Sequence, residues 1–141
     1  MRDRITDELE KELSSCAQLH AFLEKNQDQM KTGTLHERLR AIMEEKGLSR
    51  IAVIGESGLN EIYAYQIFAG KRFPSRDKLL CLCFAMALAA EEVQPLLRDC
   101  GYVPLYVKKR RDSIILFALL KRMSLSQVNE LLYEEGEALL A

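Results

Sequence analysis

The 141-residue chain has no tryptophan, and only three of its residues are proline and seven glycine. So few helix breakers, beside many Leu, Ala, Glu and Lys, argue for helix nearly throughout and against a strand-rich fold with frequent turns. No apolar run approaches the roughly 20 residues that span a bilayer. The longest, Ile114 to Leu120, fits a buried helix. Met1-Arg2-Asp3-Arg4 leads into an acidic amphipathic stretch, which does not read as a signal peptide. The expectation is a cytoplasmic protein with no membrane contact.

Chemistry-bearing patterns are equally sparse. Cys16, Cys81, Cys83 and Cys100 form no C-x-x-C pair and have no Cys/His zinc spacing, so no metal is expected. Cys81 and Cys83 lie two apart on a predicted helix, pointing to different faces, and read as buried free thiols. His20 and His36 have no ligand partner at suitable spacing and read as surface or cap-adjacent residues. Gly55-Glu56-Ser57-Gly58 lacks the Gly-Lys-Ser/Thr ending of a phosphate loop, and Ser57 is not flanked as a nucleophile elbow. No carboxylate pair stands apart. The chain does not read as an enzyme, and no cofactor is implied.

What is present is a soluble composition with a charge pattern. Hydrophobic residues make up 48% of the chain, enough for a core, and charged residues 29%. The net charge of −1 is unevenly spread. Residues 34–79 hold eight Lys and Arg against six acids, and residues 108–122 hold six against one. The segments 1–33, 80–107 and 123–141 are acidic.

Periodicity divides the chain into helices. Ile5, Leu9, Leu13, Cys16, Leu19 and Leu23 recur at helical spacing, and Ser15-Cys16-Ala17-Gln18 has the form of a capping box where a second helix could start. Thr34-Leu35-His36-Glu37 is another such box, followed by the stripe Leu35, Leu39, Ile42, Met43 and by Gly47 as a C-terminal cap. Ser49 caps a helix to Ser57, Asn60 caps one that ends by Gly70, and Pro74-Ser75 opens one to about Ala89. A short helix over 91–100 is expected to hold Pro95 in its first turn. An extended connector follows over Tyr102 to Val107, then helices over Asp112–Arg122 and from the capping box Ser124-Leu125-Ser126-Gln127 to about Glu135.

The informative stretch is Leu35 to Leu88. Two short helices joined by a tight turn centred on Gly58 are what a helix-turn-helix requires, because the turn must reverse direction within three or four residues. Val53 and Ile67 would join the two helices, leaving the outer face of the second free. The ordered set Glu45-Lys46-Gly47-Leu48-Ser49, Gly58-Leu59-Asn60, Gln66-Ile67 and Gly70-Lys71-Arg72-Phe73-Pro74-Ser75, followed by Leu79, Leu82, Ala85, Ala87 and Leu88, resembles the phage-repressor (xenobiotic-response-element, Cro-type) helix-turn-helix family. The resemblance implies an all-α, lambda-repressor-like domain at residues 34–90. An amphipathic helical extension occupies 1–33, and a C-terminal helical extension, 91–141, packs on the domain or mediates dimerisation.

The function the resemblance implies is sequence-specific binding of double-stranded DNA to regulate transcription, with helix 60–69 in the major groove. The positions matching the family's base readers are Glu61, Ile62 and Gln66, with Tyr63 close by. Gln can pair with adenine, Glu can accept from cytosine N4, and Ile can touch a thymine methyl. Arg50, Lys71, Arg72, Arg76 and Lys78 are implied as phosphate contacts. The chain departs from the family at Ile54 and Ala64, where the usual sizes are exchanged, a volume-conserving swap. It departs again at Glu61, whose charge would sit beside phosphates. That charge and the aromatic content of Tyr63, Tyr65 and Phe68 keep a second reading open, a protein–protein interaction module that does not bind DNA. The plain alternatives stand as well: packed tyrosines, a solvated Gln66, and a Lys108-Lys109-Arg110-Arg111 run that is a solvated linker rather than a second phosphate contact. Helix-turn-helix proteins commonly bind palindromes as dimers, so a homodimer is expected, with the N-terminal helix as the better seam. The helix over Ile114–Leu120 is expected to be central to the fold.

Overall fold

A computed structural model describes residues 6–15, 19 and 34–140. The described residues are all-helical. No helix among them is long and apolar enough to cross a membrane. The chain divides into two units, Met1–Thr32 and Gly33–Ala141. The first contains α1, Thr6–Ser15, on which Leu13 is exposed. Cys16 to Gln18 of the capping box, and Ile5, Cys16 and Leu23 of the stripe, lie outside the described residues.

The second unit holds seven helices: α2 Leu35–Lys46, α3 Arg50–Ser57, α4 Glu61–Phe68, α5 Arg76–Ala85, α6 Ala90–Asp99, α7 Arg110–Leu120 and α8 Leu125–Glu134. Their starts are chemical. The side chains of Ser49, Asn60 and Ser75 accept from the backbone N–H three residues on, at 3.3, 3.0 and 3.2 Å. Ser124 and Gln127 complete a full capping box. Thr34 departs from expectation. Its hydroxyl makes no capping bond, and its carbonyl oxygen accepts from Glu37 and Arg38 instead. Gly47 and Gly58 end α2 and α3 in left-handed conformations, as read from the sequence.

One core joins α2 through α8. Leu35, Leu39 and Met43 of α2, Val53 and Ile54 of α3, and Ala64 and Ile67 of α4 are all buried. The centre is α5, where six consecutive residues, Leu79 to Phe84, are buried and which packs on α3, α6 and α8. A helix covered all round has no solvent face to make polar. That corrects the expectation for Ile114–Leu120. In α7, Ile115, Ala118 and Leu119 are buried, but Phe117 and Leu120 are exposed. Its near-continuous apolar run therefore clothes one buried face and one open one.

Two further expectations are corrected. The helix opening at Ser75 stops at Ala85 rather than Ala89, because Ala87 turns left-handed (φ +55°) and Leu88 N–H returns to the Cys83 carbonyl. This reversal puts Leu88 into the core and leaves Ala87 outside. Pro95 lies at the sixth position of α6, not in the first turn. Its missing N–H deprives Glu91 of a helical partner, and Glu91 is exposed, so water can serve that carbonyl.

The described cysteines are free thiols. Burial pushes Cys81 up to about 11 and Cys83 to about 12, with Asp77 adding to the first and the other two thiols to the second. Both stay protonated and inert at neutral pH. Cys16 lies outside the described residues.

Candidate functional site

The turn between α3 and α4 is tied by a residue the sequence did not mark. Ser57 is buried; its hydroxyl donates to the Ile54 carbonyl at 2.7 Å and accepts from Leu59 N–H at 3.2 Å. A buried hydroxyl satisfied on both sides costs little and holds the chain to one path. With Gly58 at φ +71°, the turn delivers Asn60 to its capping position. Val53 of α3 and Ile67 of α4 are both buried in the common core.

The outer face of α4 is open. Glu61 and Ile62 are exposed, Ile62 at 70%. Tyr63 and Tyr65 are half-buried, packed against the core. The Lys78 ammonium lies 4.5 Å from the centre of the Tyr63 ring, a cation–π contact joining two predicted site residues across α4 and α5. Gln66 and Arg72 are joined too: Arg72 Nε–H donates to Gln66 Oε1 at 3.1 Å. Lys71 is exposed, as is Phe73 beside it.

The loop that brings Arg72 back alongside Gln66 depends on Gly70. It has φ +79°, and a Cβ there would stand 2.7 Å from His36 Cε1 and Nδ1. Lys71 N–H then closes onto the Gln66 carbonyl at 2.9 Å.

Arg50 and Arg76 lie apart from this group. Arg50 opens α3 with its guanidinium 5.7 Å from the centre of the Phe68 ring, in a cleft shared with Arg40. Arg40 Nε donates to the Phe68 carbonyl at 3.1 Å. Arg76 turns toward the C-terminal helices. It donates to both Asp112 oxygens, at 2.6 and 3.2 Å, and to the Val103 and Pro104 carbonyls. A guanidinium so engaged has little left to offer a phosphate.

This engagement has a mirror image. Arg111 forms a bidentate pair with Asp77, both bonds at 2.9 Å. The dipeptide Arg-Asp occurs at 76–77 and again at 111–112, each in the first turn of its helix, and each Arg takes the other's Asp. Asp112 is buried. Burial alone raises its pKa, but hydrogen bonds from Arg76 and from Tyr106 N–H, with the charges of Arg76 and Lys109, outweigh that and hold it below the ordinary value. Arg110 pairs with Glu135 and Glu137. Arg110 thus ties α7 to the segment after α8 and Arg111 ties it to α5, while Lys108 and Lys109 are exposed. The connector over Tyr102 to Val107 rests beside α5. Tyr102 donates its hydroxyl to the Pro74 carbonyl at 2.6 Å, and the Gln94 amide brackets Leu105 N–H and C=O, both at 2.8 Å.

Comparison with protein-family models, with curated proteins and with solved structures returns no match for this chain.

Proposed function

We propose that the chain is a sequence-specific DNA-binding regulator of transcription, built on a phage-repressor-like helix-turn-helix in which α3 and α4 are the paired helices and α4 enters the major groove. One observation carries the reading. The face of α4 bearing Glu61, Ile62 and Gln66 is exposed or half-exposed, and Lys71, Arg72 and Lys78 lie at its margin. A duplex needs both, an uncovered edge to read bases and cations to hold phosphates. Lys108 and Lys109 are exposed cations that can add phosphate contacts. A homodimer on a palindromic site is part of the proposal.

The test is selection of bound sequences from a random duplex pool, followed by affinity measurements across a salt series. Lys71→Glu is expected to weaken binding to all sequences alike. Lys108→Gln and Lys109→Gln should each reduce the salt slope by about 1. Absence of any binding at low salt overturns the proposal.

The same face supports a second reading. Glu61 puts an acid at its edge, and Ile62 and Phe73 are 70% and 77% exposed, a combination suited to a protein partner. Capture of a defined protein that is lost in Tyr63→Ala or Tyr65→Ala, with no DNA shift, selects that reading.

A further inference from the structure

We propose that Arg72 reads a base and does not merely hold a phosphate, that Gln66 is its positioning residue, and that the pair selects guanine. This rests on the DNA-binding reading and names what that site recognises. From the sequence, Gln66 has the chemistry of an adenine reader, because a free amide offers one donor and one acceptor to adenine N6 and N7. In the folded chain its oxygen is turned to Arg72, accepting from Nε at 3.1 Å. Arg72 spends the Nε–H on this contact and keeps Nη1 and Nη2, whose N–H groups form the fork that fits two adjacent acceptors.

The Arg72 fork left over presents donors only. In the major groove guanine offers two neighbouring acceptors, N7 and O6. Adenine sets a donor beside its one acceptor, and cytosine offers a donor. Donors meeting donors lose their hydration and gain nothing, so the pair discriminates by exclusion as well as by fit.

The other arginines beside α4 cannot take this part. Arg76 is spent on Asp112, and Arg50 lies over Phe68. Arg72 is oriented by a hydrogen bond to a polar side chain of α4, Gln66. Its backbone is set on both sides, by Gly70 against His36 and by Ser75 capping α5. A long side chain held in plane before binding loses less freedom on binding, which is why a positioned arginine serves as a base reader. A phosphate contact needs no such orientation, and exposed Lys71 already supplies charge there.

Selection from a random duplex pool with wild type, Arg72→Lys, Gln66→Ala and Gln66→Glu tests the assignment. The wild type should retain guanine at one position of its half-site. Arg72→Lys keeps the charge and should lower the preference at that position alone by roughly ten-fold to a hundred-fold, the range of one good bidentate contact. Gln66→Ala should weaken the preference at the same position, and Gln66→Glu, which still offers an oxygen to Arg72, should restore it. Specific binding in which Arg72→Lys leaves every base preference intact, or in which Gln66→Ala changes a different position, overturns this assignment and leaves the DNA reading standing. A wild type that binds no duplex overturns both.

Discussion

Two glycines of the same domain sit in opposite circumstances. Gly70 combines a left-handed backbone with a His36 ring where a Cβ would go. Gly55 lies within α3, exposed, with nothing within 4 Å of a built Cβ. Gly70→Ala should cost about 1–3 kcal/mol, the left-handed penalty plus displacement of the ring. Adding His36→Ala should recover only the steric part. Gly55→Ala should stabilise by roughly 0.5–1 kcal/mol, since alanine loses less freedom in a helix. Urea unfolding of the four proteins checks the signs. Equal effects at the two glycines would contradict the backbone described. Both glycines are plain in the sequence. Gly70 falls in a turn signal and Gly55 in a helix, but that His36 fills the space over Gly70 is visible only in the fold.

Between helices, the paired Arg-Asp dipeptides bind α5 to α7. Their two halves should differ in weight. Arg76 and Asp112 are 23% and 4% exposed at their side chains, Arg111 and Asp77 21% and 36%. Asp112 is the buried acceptor of both Arg76 and Tyr106 N–H, so Asp112→Ala should cost roughly 3 kcal/mol. Asp77→Ala should cost about 1 kcal/mol, since Asp77 is itself partly hydrated and Arg111 keeps the Ala138 and Leu139 carbonyls. Asp112 also sets a pH dependence. Its pKa is depressed in the folded state, so its contribution is complete above the ordinary value of 3.8 and is lost as pH falls through the lower folded value. Asp112→Asn should flatten this acid limb in pH-resolved unfolding curves. An unchanged limb would show that Arg76 does not hold the carboxylate. Neither dipeptide carries a signal of its own, because an Arg-Asp pair in a first helical turn is common surface chemistry. Their reciprocity depends on where α7 returns in space.

At the scale of the unit spanning Gly33–Ala141, extended segments are held by amide side chains. Gln94 brackets Leu105, and Asn129 brackets Leu140, accepting from its N–H at 2.8 Å and donating to its carbonyl at 3.3 Å. Leu140 is buried, and Arg111 also donates to the Ala138 and Leu139 carbonyls. Asn129→Ala should therefore release the last residues from α8. Hydrogen exchange should show the Leu140 amide losing protection while the Leu105 amide keeps it. Loss at both sites would mean general loosening, and loss at neither would mean that packing of Leu140 suffices.

Sequence alone determined the helices and most of their ends, because capping residues, glycines and apolar spacing act within a few residues of one another. Ser49, Asn60, Ser75 and Ser124 cap as their chemistry dictates, and the stripe of α2 faces inward. It also brought the candidate readers onto one short helix. Tertiary structure decided which helix is central and which charges are spoken for. Arg50, Lys71, Arg72, Arg76 and Lys78 look alike as letters, but Arg76 faces a buried carboxylate, Lys78 an aromatic ring and Arg72 an amide oxygen. A long cationic side chain takes the partner that the packing of distant segments sets within its reach, and local sequence does not encode that meeting.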